Sequence, residues 1–125
     1  MTDDRATPVT TQVFQILLSL VDEDRHGYAI IQDVAARTEG EVRLTASTLY
    51  SAVRRLLDVG WIEEPADRPP AEDDDPRRRY YRLTERGRAA AAAEARRLER
   101  FAAMARAKRL LPPSPTPFHP ASEGR

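Results

Sequence analysis

The chain has 125 residues, no cysteine, two histidines, and 20 lysines and arginines set against 20 aspartates and glutamates. That length fits one domain with a modest core, and the lack of cysteine excludes a disulfide framework and thiolate chemistry, while the scattered His26 and His119 do not make a metal site. No apolar run approaches a membrane span, and the opening MTDDRATPVT has no basic region leading into an apolar stretch, so a soluble, cytoplasmic protein with no membrane partner is expected.

The first predicted helix runs from about Val9 to Val21. Val9, Val13, Phe14, Ile16, Leu17, Leu18, Leu20 and Val21 leave well over half of its circumference apolar. A helix that apolar in a small protein is expected to be covered on two sides, by its own core and by a second subunit, with Val13 and Leu17 at the subunit interface. Asp22 to Gly27 breaks the pattern. A second helix is predicted over Tyr28 to Thr38, where Ile30, Ile31, Val34 and Ala35 recur at helical spacing and Glu39-Gly40 closes it. Glu41 to Leu44 reads as a brief strand.

Thr45 is a good N-cap for the third helix. Behind it Leu49, Ala52, Val53, Leu56 and Leu57 share one face, while Ser47, Tyr50, Ser51 and Arg54 share the other. Gly60 ends this helix, and Trp61 to Pro65 starts an extended run whose expected partner is RRRYYRLT, giving a two-stranded ribbon with an arginine cluster. A helix followed directly by such a ribbon is how a helix-turn-helix with a wing reads: side chains for base edges beside cations for phosphates. Trp61 is expected in the core, and Tyr80 and Tyr81 on opposite faces of the ribbon, one of them buried.

Charge is unevenly spread. From Arg77 to Arg109 twelve cations face only Glu85, Glu94 and Glu99, a local net charge of +9, whereas Glu63 to Asp75 holds seven acids and the single Arg68. A neutral total therefore does not exclude a nucleic-acid partner, because the local field decides. The acidic run Glu72 to Asp75 sits awkwardly at the tip of the wing, where phosphates would repel it. It lacks the alternating spacing and the glycine of a calcium loop.

Thr84 caps a last helix predicted over Glu85 to Leu111, about 40 Å long at ~1.5 Å per residue. The run Ala89 to Ala93 is strongly helix-favouring, and Ala91, Ala95, Leu98, Phe101 and Ala105 form a stripe for a symmetry-related helix. The rest, PPSPTPFHPASEGR, has almost no apolar content and is expected to be disordered. The domain plan is a flexible N-terminus over 1–8, a DNA-binding domain over 9–84, a dimerisation helix over 85–111 and a disordered tail over 112–125.

The candidate contacts to double-stranded DNA follow from this layout. Arg54 can donate two hydrogen bonds to guanine O6 and N7, and the Tyr50 hydroxyl can reach a phosphate. Ser47, Thr48 and Ser51 lie in the first turns of the same helix, where they can bond phosphate or stabilise the helix start. Arg77, Arg78 and Arg79 are the phosphate-binding cations of the wing, although strand alternation points Arg78 away from its neighbours. Their alternative use is charge compensation of the acidic tip. No Ser, His and Asp constellation, glycine-rich phosphate loop or carboxylate pair in an apolar setting is present, so neither an enzyme nor a cofactor is expected.

With these elements placed, the sequence resembles the PadR family of winged-helix transcriptional regulators, in its short form with one C-terminal helix. Three motifs over roughly Val9 to Arg109 carry the likeness: His26-Gly27-Tyr28-Ala29-Ile30; Ser47-Thr48-Leu49-Tyr50 with Leu56 and Gly60-Trp61-Ile62; and Arg79-Tyr80-Tyr81-Arg82-Leu83-Thr84-Glu85-Arg86-Gly87. The resemblance implies a mainly α fold with a small β-ribbon, a winged helix-turn-helix plus a long C-terminal dimerisation helix. It also implies a homodimeric repressor on a palindromic operator, often released by a small aromatic or planar effector. The last helix has no tryptophan and offers only Phe101 and Met104 as large side chains, so an aromatic sandwich for such a ligand is not evident. The alternative is a winged-helix protein-protein interaction module without sequence-specific DNA binding.

Overall fold

The computed structural model describes residues 8–67, 75 and 77–114. The chain divides into two units, Met1–Glu94 and Ala95–Arg125. The elements in order are α1 (Thr11–Ser19), β1 (Arg25–His26), α2 (Gly27–Arg37), α3 (Ala46–Val59), β2 (Ile62–Glu63), β3 (Tyr80–Leu83) and α4 (Glu85–Ala107). The expected flexible residues 1–8, the acidic tip Glu72 to Asp74 and the tail beyond Ser114 lie almost wholly outside the described residues.

Each helix starts where a side chain can accept an orphan backbone N–H. Thr10 Oγ1 accepts from Val13 N at 3.1 Å, His26 Nδ1 from Ala29 N at 3.1 Å, and Thr45 Oγ1 from Thr48 N at 3.0 Å. Gly60 ends α3 at φ 80°, a left-handed conformation suited to glycine, and Trp61 N then reaches back to Leu56 O at 3.0 Å. α4 stops at Ala107 rather than at Leu111, because Arg109 turns left-handed (φ 67°) and Leu110 N closes onto Ala105 O at 2.9 Å.

The core of the first unit joins Ile16 and Leu17 of α1, Ile30 and Val34 of α2, Leu49, Val53 and Leu56 of α3, and Trp61, Ile62 and Tyr81 of the sheet. Trp61 and Tyr81 are both 1% exposed, so the expected split between the tyrosines holds, with Tyr81 in the core and Tyr80 only half-buried. Val13 and Leu17, expected at the subunit interface, are buried in the protein's own core at 4% and 0% exposure. Phe14 and Leu18 are the large apolar residues of α1 that remain partly open. Ala91, another expected interface residue, is likewise buried in the core.

Two strand expectations also change. Glu41 to Leu44 forms no strand, since Val42 N is taken by Thr38 Oγ1 at 3.0 Å and Glu41 N by Thr38 O at 3.0 Å. The ribbon is one side of a three-stranded antiparallel sheet of order β1-β3-β2, with Arg25 opposite Tyr81, His26 opposite Tyr80, Ile62 opposite Leu83 and Glu63 opposite Arg82. Arg77 to Arg79 are not on a strand. They form a turn that continues the β1 side, where Gly27 N donates to Arg79 O at 3.2 Å and Tyr28 N to Arg77 O at 2.9 Å.

One close joint fastens sheet to last helix within the first unit. Thr84 N donates to Trp61 O at 3.1 Å, Thr84 Oγ1 to Gly60 O at 2.6 Å, and Gly87 N to Thr84 Oγ1 at 3.1 Å. A Cβ on Gly87 would overlap the Trp61 carbonyl oxygen and come within 2.8 Å of Leu83 Cδ1, so only glycine allows this approach. The Gly60-Trp61 and Thr84-Glu85-Arg86-Gly87 motifs, 24 residues apart from Gly60 to Thr84, are two halves of that joint.

Candidate nucleic-acid interface

α3 buries Leu49, Val53, Leu56 and Val59 and turns Ser47, Tyr50, Ser51 and Arg54 outward, all four exposed, with Thr48 partly covered. Thr48 Oγ1 is engaged with Thr45 Oγ1 at 3.0 Å, which makes it part of the helix start. Arg54 Nη1 donates to the Tyr50 hydroxyl at 3.2 Å, and its guanidinium lies 5.5 Å from the centre of the Tyr50 ring. Among the described residues no carboxylate is paired with Arg54. Sequence reasoning passed over Asp58, one turn beyond Arg54 on the exposed surface, which sets a negative charge at the far end of the same face.

The wing arginines differ in that respect. Arg77 grips Asp75 through Nε at 3.0 Å and Nη2 at 2.9 Å, and Arg78 Nε lies 3.9 Å from the same carboxylate. The side-chain and backbone hydrogen bonds from Arg77 hold the Asp75 carboxyl below its ordinary pKa. Arg79 pairs with Glu64 at 2.9 Å. Arg82 makes a two-pronged contact with Asp24 at 3.1 and 2.9 Å, which raises the guanidinium pKa. The cationic stretch read from the sequence is thus largely offset where it meets the acidic segment, and Arg78, with a side chain 63% exposed, is the most open of the four.

The structure brings Tyr28 to this group, a residue the sequence reading used only to open the second helix. Its ring is exposed at the start of α2, with the Arg77 guanidinium stacked 5.0 Å from its centre. His26 sits edge-on to Tyr80 at 5.4 Å and to Tyr28 at 6.4 Å. The signal lay in the His-Gly-Tyr motif, but only the pairing of β1 with β3 sets that motif beside the arginine turn.

Among the described residues no cluster of three or more His, Cys, Asp or Glu could hold a metal, and no helix is long and apolar enough to cross a membrane. On residues 95–107 of α4, Leu98 is 42%, Phe101 49% and Met104 59% exposed, and Arg97 is stacked 4.9 Å from the Phe101 ring centre.

An N-capped helix with an open polar face, followed by a sheet whose turn carries arginines, defines a winged helix-turn-helix protein of the DNA-binding kind. Residues 16–93 match the transcriptional regulator PadR-like family, and the chain belongs to that family. Solved structures agree. A transcriptional regulator from Clostridium thermocellum is 25% identical, superposes with a TM-score of 0.57 and is matched over 79% of this chain and 90% of its own. A PadR family transcription regulator from Clostridium difficile, 23% identical, has a TM-score of 0.57 over 74% of this chain and 94% of that one. A Streptococcus mutans protein, 23% identical, has a TM-score of 0.53 over 76% and 84%. No curated protein gives a significant match.

Proposed function

We propose that this PadR-family regulator is a homodimeric repressor that reads a palindromic operator through the exposed face of α3. The observation that carries the reading is Arg54: it stands on an otherwise small and polar face, beside Tyr50, without a carboxylate partner among the described residues. In the major groove such a side chain can donate a bidentate pair to guanine. Ser47, Ser51 and the Tyr50 hydroxyl serve neighbouring phosphates. Arg78 is the readiest wing cation, while Arg77 and Arg79 must exchange Asp75 and Glu64 for phosphate and so contribute less.

Residues 9–84 act as the DNA-binding part and α4, Glu85–Ala107, as the dimerising helix, through Ala95, Leu98, Phe101 and Ala105. Occupancy of the operator blocks polymerase, and an effector that changes the spacing of the two α3 helices releases it. The acid-paired wing favours one rival, a module that docks a protein rather than DNA.

Fluorescence anisotropy over a salt series separates the two. Arg54→Ala should cost about 1–3 kcal/mol per half-site and relax one operator position, whereas Arg78→Ala should weaken operator and scrambled duplex alike. A dimer touching about six to eight phosphates gives a slope of log affinity on log salt of about −5 to −7. Absence of salt-dependent duplex binding would reject the repressor in favour of the docking module. Equal loss for both duplexes with Arg54→Ala would demote Arg54 to a phosphate contact.

A further inference from the structure

The caps that open the helices are not chemically alike. α1, α3 and α4 begin on the hydroxyls of Thr10, Thr45 and Thr84, which do not titrate, whereas α2 begins on the imidazole of His26. Histidine is the side chain whose charge ordinarily changes between about pH 5 and 8, so this cap alone can be switched by a proton. The bond from Ala29 N to His26 Nδ1 at 3.1 Å needs a bare ring nitrogen, which places the neutral ring's hydrogen on Nε2. Imidazolium carries a hydrogen on both nitrogens, and turning the ring over restores no acceptor.

The same cap stands at the seam between α2 and the arginine turn. The two residues after it donate to that turn, Gly27 N to Arg79 O at 3.2 Å and Tyr28 N to Arg77 O at 2.9 Å, and the Arg77 guanidinium stacks on the Tyr28 ring. The His26 ring is half-buried, edge-on to Tyr80 of β3 and to Tyr28 of α2. Besides these two phenols, the ionisable groups about it are Arg25, its neighbour on β1, and Arg77 and Arg79 of the turn. Arg25 is drawn to Glu23 at 3.4 Å and Asp33 at 3.8 Å, Arg77 to Asp75 and Arg79 to Glu64. Among the described residues no carboxylate is paired with His26, so a proton on the ring adds uncompensated charge at the positive end of the α2 dipole.

We propose that His26 is a proton-operated latch on the arginine turn. The neutral ring caps α2 and keeps its first turn bonded to Arg77 and Arg79; the protonated ring lets go of Ala29 N, and the first turn of α2 frays away from both. Loss of the acceptor and the adverse dipole act in the same direction. Mild acid therefore loosens the turn while the rest of the fold stays in place. The latch does not rest on the assignment of Arg54 or of the wing to DNA.

Amide hydrogen exchange of the full-length protein without DNA, followed by NMR and expressed as protection over the free-peptide rate at each pH, is the readout. Between about pH 7.5 and about pH 5.5 protection at Ala29 should fall about fivefold, the usual worth of one cap, and Gly27 and Tyr28 should fall with it. Val13, Thr48 and Gly87, whose caps are hydroxyls, should stay level and so report that the fold is intact. His26→Asn supplies an acceptor that does not titrate and should hold Ala29 protection at both pH values, while His26→Ala should lack it at both. DNA affinity is a poorer gauge, because positive charge gained beside the turn would itself favour a duplex. Protection at Ala29 that is level with pH, falls in step with Val13 and Thr48, or still falls in His26→Asn overturns the latch. A fall at Ala29 alone, with Gly27 and Tyr28 unmoved, overturns its link to the arginine turn.

Discussion

Gly87→Ala tests the joint that holds the last helix to the sheet. In an unencumbered helix this change is favourable by about 1 kcal/mol, because alanine has the better helix propensity. Here the new methyl would overlap the Trp61 carbonyl oxygen, a backbone atom that cannot turn aside as a side chain would. To admit the methyl, the first turn of α4 must withdraw and lose the Thr84 N bond to Trp61 O (3.1 Å) and the Thr84 Oγ1 bond to Gly60 O (2.6 Å). Each bond contributes about 1 kcal/mol net, and overpacking against Leu83 adds about 1–3 kcal/mol. Set against the propensity gain, the net loss is about 2–4 kcal/mol, or a fall in Tm of about 10 °C or more. Calorimetry at matched protomer concentration measures it, since the proposed dimerisation would make Tm concentration-dependent. Ala89→Gly, at an exposed position of the same helix, should cost only about 1 kcal/mol. A Gly87→Ala protein as stable as the parent would show that helix and sheet do not meet as closely as described.

Three further outcomes follow from particular contacts. Leu98→Glu sets a charge in the apolar stripe of α4 and should dissociate the dimer in light scattering and remove the concentration dependence of Tm; a monomeric parent at micromolar concentration would refute the pairing. Tyr81 has a folded pKa raised from 10 to about 12, so its contribution is fully present below pH 10 and is lost as pH rises through 12, about 3 kcal/mol in all; denaturant titrations at pH 9 and pH 11.5 should differ, and Tyr81→Phe should flatten that difference. Asp33 is raised by desolvation, but hydrogen bonds from Arg37 (2.7 Å) and Ser19 (2.9 Å) and the nearby cations bring it below 3.8. Its stabilisation is therefore present above pH 3.8 and lost as pH falls through the lower folded value. Arg37→Met should shift that acid limb upward and cost about 1–3 kcal/mol, and an unmoved limb would remove Asp33 from the account.

The helices were legible because their signals are local. Thr45 as N-cap, Gly60 as left-handed terminator and the apolar spacing of Leu49, Val53 and Leu56 are each set by a few neighbouring residues, and the open face of Ser47, Tyr50, Ser51 and Arg54 follows from the same period. Boundaries drifted where closure was not written in glycine or proline, as at Arg109, where an ordinary residue takes a left-handed turn.

What the tertiary structure alone decided concerns partners far apart in the chain. Arg25-His26 is too short to register as a strand, yet it completes the sheet against Tyr80-Tyr81 and draws the arginine turn toward Tyr28, since a strand's ladder is satisfied by whatever backbone lies beside it. Val13 and Leu17 show the same limit from the other side. Periodicity marks a residue as apolar but not which neighbour covers it, and here the neighbour is the protein's own core. Whether an arginine can offer its charge to a partner was equally hidden, because that depends on carboxylates brought near in space: Asp24 and Glu64 occupy Arg82 and Arg79 across 58 and 15 residues of sequence, while Arg54, among the described residues, keeps only the tyrosine one turn away.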